Sequence, residues 1–136
     1  MVRSSDAPRG EPFAPVRGCI LVVEDELFIR LVVSDALRDA GYQVIEAHNA
    51  DEALTILTSE IRIDLIISDV RMPGSLDGLG LLAAVRARSA VLPVIITSGH
   101  LDPNQALADG ATRFVAKPYS MEFVLETVRA ELAKAS

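Results

Sequence analysis

Two textures alternate along this chain. Short unbroken runs of Val, Ile and Leu, at Ile20-Leu21-Val22-Val23, Leu65-Ile66-Ile67, Val94-Ile95-Ile96 and Phe114-Val115-Ala116, punctuate longer stretches in which apolar residues recur every three or four positions. Unbroken aliphatic runs predict strands buried on both faces, as in a parallel sheet covered by helices. The pattern predicts strands at Cys19–Val23, Val44–Ala47, Asp64–Ser68, from Pro93 to Thr97, and at Arg113–Ala116. Leu27, Ile29, Leu31, Val33 and Leu37 recur at helical spacing, and Gly41 supplies the stop. Asn49 followed by Glu52 has the form of a capping arrangement opening a second helix through Leu54, Ile56 and Leu57. A long loop to Asp77 precedes a third helix over Leu79–Arg88, with Leu79, Leu82, Ala83 and Val85 assigned to one face. Asp102-Pro103 is an N-cap followed by proline at the first helical position, so a short helix runs to about Asp109 and Gly110 closes it. Ser120 caps a last amphipathic helix carrying Phe123, Val124, Val128 and Leu132. Five strands alternating with five helices through short connections predict an α/β, doubly wound sheet.

Composition narrows the picture. A length of 136 residues suits one domain. Half the residues are apolar, yet there are only four Phe, two Tyr and no Trp, so the core is aliphatic. Residues 1–17, with Pro8, Gly10, Pro12 and Pro15 and no periodicity, read as a flexible leader. No apolar stretch approaches the roughly 20 residues needed to span a bilayer, and no secretory signal opens the chain. The single Cys19 reads as a small buried hydrophobe in a reducing, cytoplasmic setting. A net charge of -6 argues against a direct nucleic-acid surface and is compatible with a cation site.

The candidate chemistry lies where the strands end. Glu24 and Asp25 follow the first strand, Asp69 the third, Thr97 the fourth and Lys117 the fifth. In doubly wound sheets the ligand crevice lies beyond the carboxyl ends of the strands, so these residues converge although far apart in sequence. Carboxylates a few ångströms apart raise one another's pKa values, a conflict that a divalent cation removes. Oxygen-only ligands suit a hard ion such as Mg²⁺ or Mn²⁺, which typically takes one or two carboxylates and leaves another free. Lys117 adds a point cation for a phosphate oxygen and Thr97 a hydroxyl. An anion-binding set beside an acid-bound metal is equipment for phosphoryl transfer, in which a carboxylate can itself be the nucleophile.

Val-Val-Glu24-Asp25-Glu, Ser-Asp69-Val-Arg-Met72-Pro73, Ile-Thr97-Ser98-Gly99 and Phe114-Val-Ala-Lys117-Pro118 together resemble the signature of response-regulator receiver domains of two-component signalling. The resemblance covers Arg17 to Lys134 and implies a receiver domain at 18–134, with the flavodoxin-like strand order 2-1-3-4-5. It implies that Asp69 accepts a phosphoryl group from the phosphohistidine of a sensor histidine kinase or a histidine phosphotransfer protein. It also implies that Asp25 and Asp69 bind Mg²⁺ directly, Glu24 through water, and the main-chain carbonyl of Arg71 as a further ligand. Lys117 would pair with Asp69 at rest and with the phosphoryl group afterwards, and the Lys117-Pro118 bond is often cis in this family. Thr97 would move toward the phosphoryl oxygen and Phe114 turn inward behind it, shifting the population of a signalling face built from the fourth helix, fifth strand and fifth helix.

Three departures from the family pattern stand out. The Gly74-Ser75-Leu76 stretch makes the loop after Met72-Pro73 one residue longer than is common. The switch aromatic is Phe114, without a phenol. Arg71 and Gly99 occupy positions that in this family tune phosphate lifetime, and Arg71, large and cationic, is suited either to shielding an acyl phosphate or to guiding the donor. The expected protein is a stand-alone receiver with an unknown downstream protein target. It contacts neither membrane nor nucleic acid, and it is not an enzyme beyond its own phosphorylation and dephosphorylation. The alternative is a degenerate receiver that binds partners without phosphorylation. A haloacid-dehalogenase-like phosphatase is disfavoured because Arg71 stands where a second acid is needed. A nucleotide or flavin carrier is disfavoured because the turn after the first strand is acidic. His48 and His100 read as exposed loop residues.

Overall fold

The computed structural model describes residues 17–72, 74 and 76–134. The expected leader over 1–17 therefore lies outside the described residues, save Arg17. The elements follow in strict alternation: β1 (Cys19–Val23), α1 (Leu27–Asp39), β2 (Gln43–Ala47), α2 (Ala50–Leu57), β3 (Leu65–Asp69), α3 (Gly78–Arg88), β4 (Val94–Ser98), α4 (Pro103–Ala108), β5 (Arg113–Ala116) and α5 (Met121–Lys134). All strand pairs are parallel and the order is β2-β1-β3-β4-β5, the expected flavodoxin-like arrangement.

The apolar runs explain the order. Every residue of β1, β3 and β4 is buried, as three central strands covered on both faces require. The edge strands β2 (QVIEA) and β5 (RFVA) carry polar residues and are only partly buried, so the Phe114–Ala116 run, expected to be buried on both faces, buries only Val115 because β5 closes the sheet at its edge. Because side chains alternate across a strand, the sheet divides the core in two. Leu21, Val23, Ile66 and Ile96 pack with residues of α2, α3 and α4 on one face. Ile20, Val22, Leu65, Ile67 and Ile95 pack with α1 and α5 on the other.

Strand boundaries shift by one residue from those expected. Gln43 joins β2 in register with Cys19. Asp64 falls outside β3, its carboxylate accepting the Cys19 N–H at 2.8 Å. Asp69 ends β3 in register with Thr97, and Ser98 ends β4. The caps form as expected at Asn49, whose Oδ1 accepts the Glu52 N–H at 2.7 Å, and at Ser120, whose Oγ accepts the Phe123 N–H at 3.1 Å.

Three helix faces differ from the sequence reading. α3 buries Gly78, Leu81, Leu82 and Val85 and exposes Ala83. Its rotation follows from Gly78, which packs so closely on β3 that a Cβ there would collide with the Asp69 carbonyl and the Val70 Cα. α1 buries Val33, Ser34 and Leu37, while Leu27 and Leu31 lie exposed beside Phe28 and Val32. On α5, Phe123 is exposed and Val124, Thr127, Val128 and Glu131 face inward.

Candidate functional site

The carboxyl ends of β1, β3, β4 and β5 bring the predicted residues together. Backbone ladders extend one residue past the strands to fix them: the Glu24 N–H donates to the Ala47 carbonyl and the Lys117 N–H to the Ser98 carbonyl, each at 3.0 Å. Glu24, Asp69 and Thr97 are buried, and Asp25 is exposed on the turn into α1. One carboxylate oxygen from each of Glu24, Asp25 and Asp69 lies within 4.8 Å of the others. The Lys117 ammonium sits between two of these acids, 3.2 Å from Asp69 Oδ2 and 3.4 Å from Glu24 Oε1. Asp69 Oδ1 accepts its neighbour's amide, Val70 N–H, at 2.8 Å, and Glu24 Oε2 accepts the Glu26 N–H at 3.1 Å.

The electrostatics follow from this crowding. Burial pushes the Glu24 carboxyl above its ordinary range and the Asp69 charge adds to the rise; the Glu26 N–H and Lys117 only partly offset it. Burial works against the Lys117 ammonium, but Glu24 and Asp69 outweigh it and raise its pKa. Two buried acids thus share one close ammonium, with the exposed Asp25 beside them. The residues present fit a hard divalent cation: the donors are all oxygen, their spacing is compact, and the excess negative charge is what such an ion would neutralise.

Arg71 is exposed two residues beyond Asp69, where it lines a depression shared with Asp25, Met72 and Asp77. Phe114 stands apart from the acids: it pairs with Ile96 and packs, half-buried, on the core face of α2, α3 and α4. The Lys117-Pro118 peptide is cis. Gly74 in the long loop takes φ +111°, the left-handed region that favours glycine, and a Cβ there would meet Asp51 Oδ2 at 3.0 Å, so the loop rests against the start of α2. His48 is exposed, its ring 2.9 Å from Glu52 Oε1. His100 is also exposed, but it lines the same groove as Asp69 and Lys117.

Several residues of the site escaped the sequence reading. Tyr119 is pressed into the crevice behind Lys117, and burial raises its phenol pKa. Ser98 Oγ accepts the N–H groups of His100 and Leu101 at 3.1 and 3.0 Å, shaping the turn after β4. A groove of about 710 Å³ opens from Asp69 and Lys117 and is walled by Phe28, Val32 and Met121. The available sequence signals were the adjacency of Tyr119 to the Lys-Pro pair and that of Ser98 to Thr97 in the quoted motif.

Comparison with known proteins agrees with this geometry. The DNA-binding transcriptional regulator NtrC of Salmonella typhimurium is 38% identical over 109 residues, covering 78% of this chain and 23% of that protein. The C4-dicarboxylate transport transcriptional regulatory protein DctD of Rhizobium meliloti is 34% identical over 113 residues, 81% of this chain and 24% of that protein. The chain thus spans about a quarter of the length of these relatives. Among solved structures, the receiver domain of NtrX from Brucella abortus superimposes with a TM-score of 0.78 at 33% identity, covering 84% of this chain and 98% of that one. The chemotaxis protein CheY4 of Vibrio cholerae does so with a TM-score of 0.76 at 36% identity, covering 83% and 97%. Residues 20–129, most of the chain and all of its strands but the first residue of β1, match the response regulator receiver domain, so this protein belongs to the receiver-domain family of two-component signalling.

Proposed function

We propose that the protein is a phospho-acceptor switch in which Asp69 takes a phosphoryl group from a phosphohistidine, with Mg²⁺ or Mn²⁺ held by Asp25, Asp69, the Arg71 carbonyl and, through water, Glu24. The observation that carries this reading is the Lys117 ammonium bridging Glu24 and Asp69 within a compact three-carboxylate cluster. A bound divalent cation supplies charge neutralisation for the phosphoryl oxygens. The chain's own residues supply the rest. An Asp69 carboxylate oxygen attacks phosphorus as the P–N bond to the donor imidazole breaks, and the imidazole leaves with the bonding pair and is reprotonated. Lys117 exchanges part of its pairing with Asp69 for a phosphoryl oxygen, and Thr97, beside Asp69 in the register, offers its hydroxyl. Phe114 couples the event to the surface formed by α4, β5 and α5, where a downstream protein would read it. The partners are then a sensor histidine kinase or phosphotransfer protein on one side and a protein target on the other. No described helix is long and apolar enough to cross a membrane, and the free Cys19 is buried, both of which suit a cytoplasmic relay.

Intact-mass measurement after incubation with acetyl phosphate, with and without Mg²⁺, tests this reading alongside Asp69→Asn. One added phosphoryl mass that needs both Mg²⁺ and Asp69 is expected. No gain from either acetyl phosphate or a phosphohistidine protein, on folded material, would leave a degenerate receiver that binds without phosphorylation.

A further inference from the structure

The turn carrying Glu24 and Asp25 lacks the usual support at a helix start. Glu26 is the N-cap of α1, but its side chain makes no capping hydrogen bond. The main chain of Glu24 is instead held at both of its polar atoms. Its N–H donates to Ala47 at the end of β2, and its carbonyl accepts Arg30 Nη1 at 2.9 Å. The same guanidinium donates through Nε to Glu46 Oε1 at 3.2 Å. Glu46 is braced in turn: its second oxygen takes Arg38 Nη1 at 3.0 Å. The Arg30 and Glu46 side chains are largely shielded, at 16% and 23% exposure, so the pair is better protected from solvent screening than a surface ion pair.

Building on the reading of Glu24 and Asp25 as cation ligands, we infer that Arg30 is a positioning residue for the divalent-cation site, locked by Glu46. Arg30 touches no reacting atom. It fixes the carbonyl of the residue between the end of β1 and Asp25, and so presets the direction in which the acidic turn leaves the sheet. A planar, multi-donor guanidinium suits this task because it holds a carbonyl and a carboxylate at once; a lysine ammonium on a flexible stem satisfies the two less well. Residues that orient metal ligands from behind typically alter metal affinity by about 10- to 100-fold when removed.

The test is calorimetric titration of Mg²⁺ into the metal-free protein and its Arg30→Met, Arg30→Lys and Arg38→Met variants. Hydrogen exchange of the Glu26 amide, which donates to Glu24 Oε2, is followed on the same metal-free samples. Arg30→Met is expected to weaken Mg²⁺ binding about tenfold or more and to speed Glu26 exchange, with Arg30→Lys between it and the parent. Arg38→Met, which removes the brace on Glu46 but no contact to Glu24, is expected to stay within about twofold of the parent, and this separates positioning from general loss of stability. Parent-like affinity in both Arg30 variants overturns the inference, as does an equal loss in Arg38→Met. If the parent itself takes up no Mg²⁺, the reading of the acids as cation ligands fails, and the inference falls with it.

Discussion

Glu24 carries a conflict that its neighbours only partly resolve. It is buried, faces the Asp69 carboxylate, and must share the Lys117 ammonium with it. Its carboxyl is raised above the ordinary value of 4.5, with burial as the leading cause and Asp69 contributing. The folded state therefore binds a proton over a window where the unfolded chain has already lost it. Stability of the metal-free protein is accordingly fully present below about pH 4.5 as far as this group is concerned, and declines as pH rises through the raised value. Glu24→Gln keeps the shape, removes the charge, and leaves Lys117 a one-to-one partner in Asp69. It is expected to raise the metal-free melting temperature at pH 7 and to flatten the decline above about pH 4.5, while weakening divalent-cation binding. Thermal melts of both proteins across that pH range check the sign. A variant less stable than the parent at pH 7, with the same pH slope, would show that the buried charge is already well compensated. Such a trade of stability for a charged, cation-ready crevice is the usual pattern at functional sites.

The first half of α1 presents Leu27, Phe28, Leu31 and Val32 to solvent, with Phe28 74% exposed. These residues sit at positions i, i+1, i+4 and i+5, so they form one continuous apolar stripe, and Phe28 and Val32 wall the groove that leads to Asp69 and Lys117. If Asp69 is the phospho-acceptor proposed above, an apolar stripe beside it favours a large donor that buries it over a small one that does not. Phe28→Asp is therefore expected to slow transfer from a phosphohistidine protein about tenfold or more, equivalent to ~1.4 kcal/mol, and to leave the rate with acetyl phosphate near that of the parent. Equal slowing with both donors would mean that the change disturbs the site itself. At the other end of the sheet, Arg86 of α3 performs a purely structural task. It donates to the carbonyls of Ser89, Leu92 and Gly110 and to Thr112 Oγ1, tying α3 to the turns that begin β4 and β5. Arg86→Met leaves these acceptors without that donor and is expected to cost about 3 kcal/mol in urea unfolding, with Mg²⁺ affinity unchanged. Helical spacing in the sequence located α1 and α3. It did not show which of two apolar stripes on α1 turns inward, because Leu27 with Leu31 and Val33 with Leu37 are each spaced four residues apart. That choice is made by packing on the sheet, which local spacing does not encode.

For the molecule as a whole, the legible features were those set by strand ends. Unbroken runs marked β1, β3 and β4 as strands buried on both faces, though the same reading of β5 failed, and a parallel sheet then required Glu24, Asp69, Thr97 and Lys117 to share one edge. The Arg30–Glu46 pair was invisible at that level, because it joins residues 16 apart whose meeting depends on how α1 packs against β2. The same architecture makes a prediction about global stability. The three acids come from the ends of two neighbouring strands, β1 and β3, and the turn that follows β1, so an ion held among them binds only the folded chain. Binding confined to the native state stabilises by RT ln(1 + [L]/Kd), about 2.7 kcal/mol at a hundredfold excess over Kd. Mg²⁺ is therefore expected to raise the melting temperature of the parent in a concentration-dependent way, by a few degrees near saturation. Asp25 is the exposed member of the cluster, so Asp25→Asn should fold with a metal-free melting temperature close to the parent's and lose most of the Mg²⁺-dependent rise. Calorimetric scans over a Mg²⁺ series, with NaCl matched for ionic strength, distinguish a bound ion from general screening of the net charge of -6. A rise that survives in Asp25→Asn, or that NaCl reproduces, would mean that the cluster responds to ionic strength and does not hold a cation as a unit.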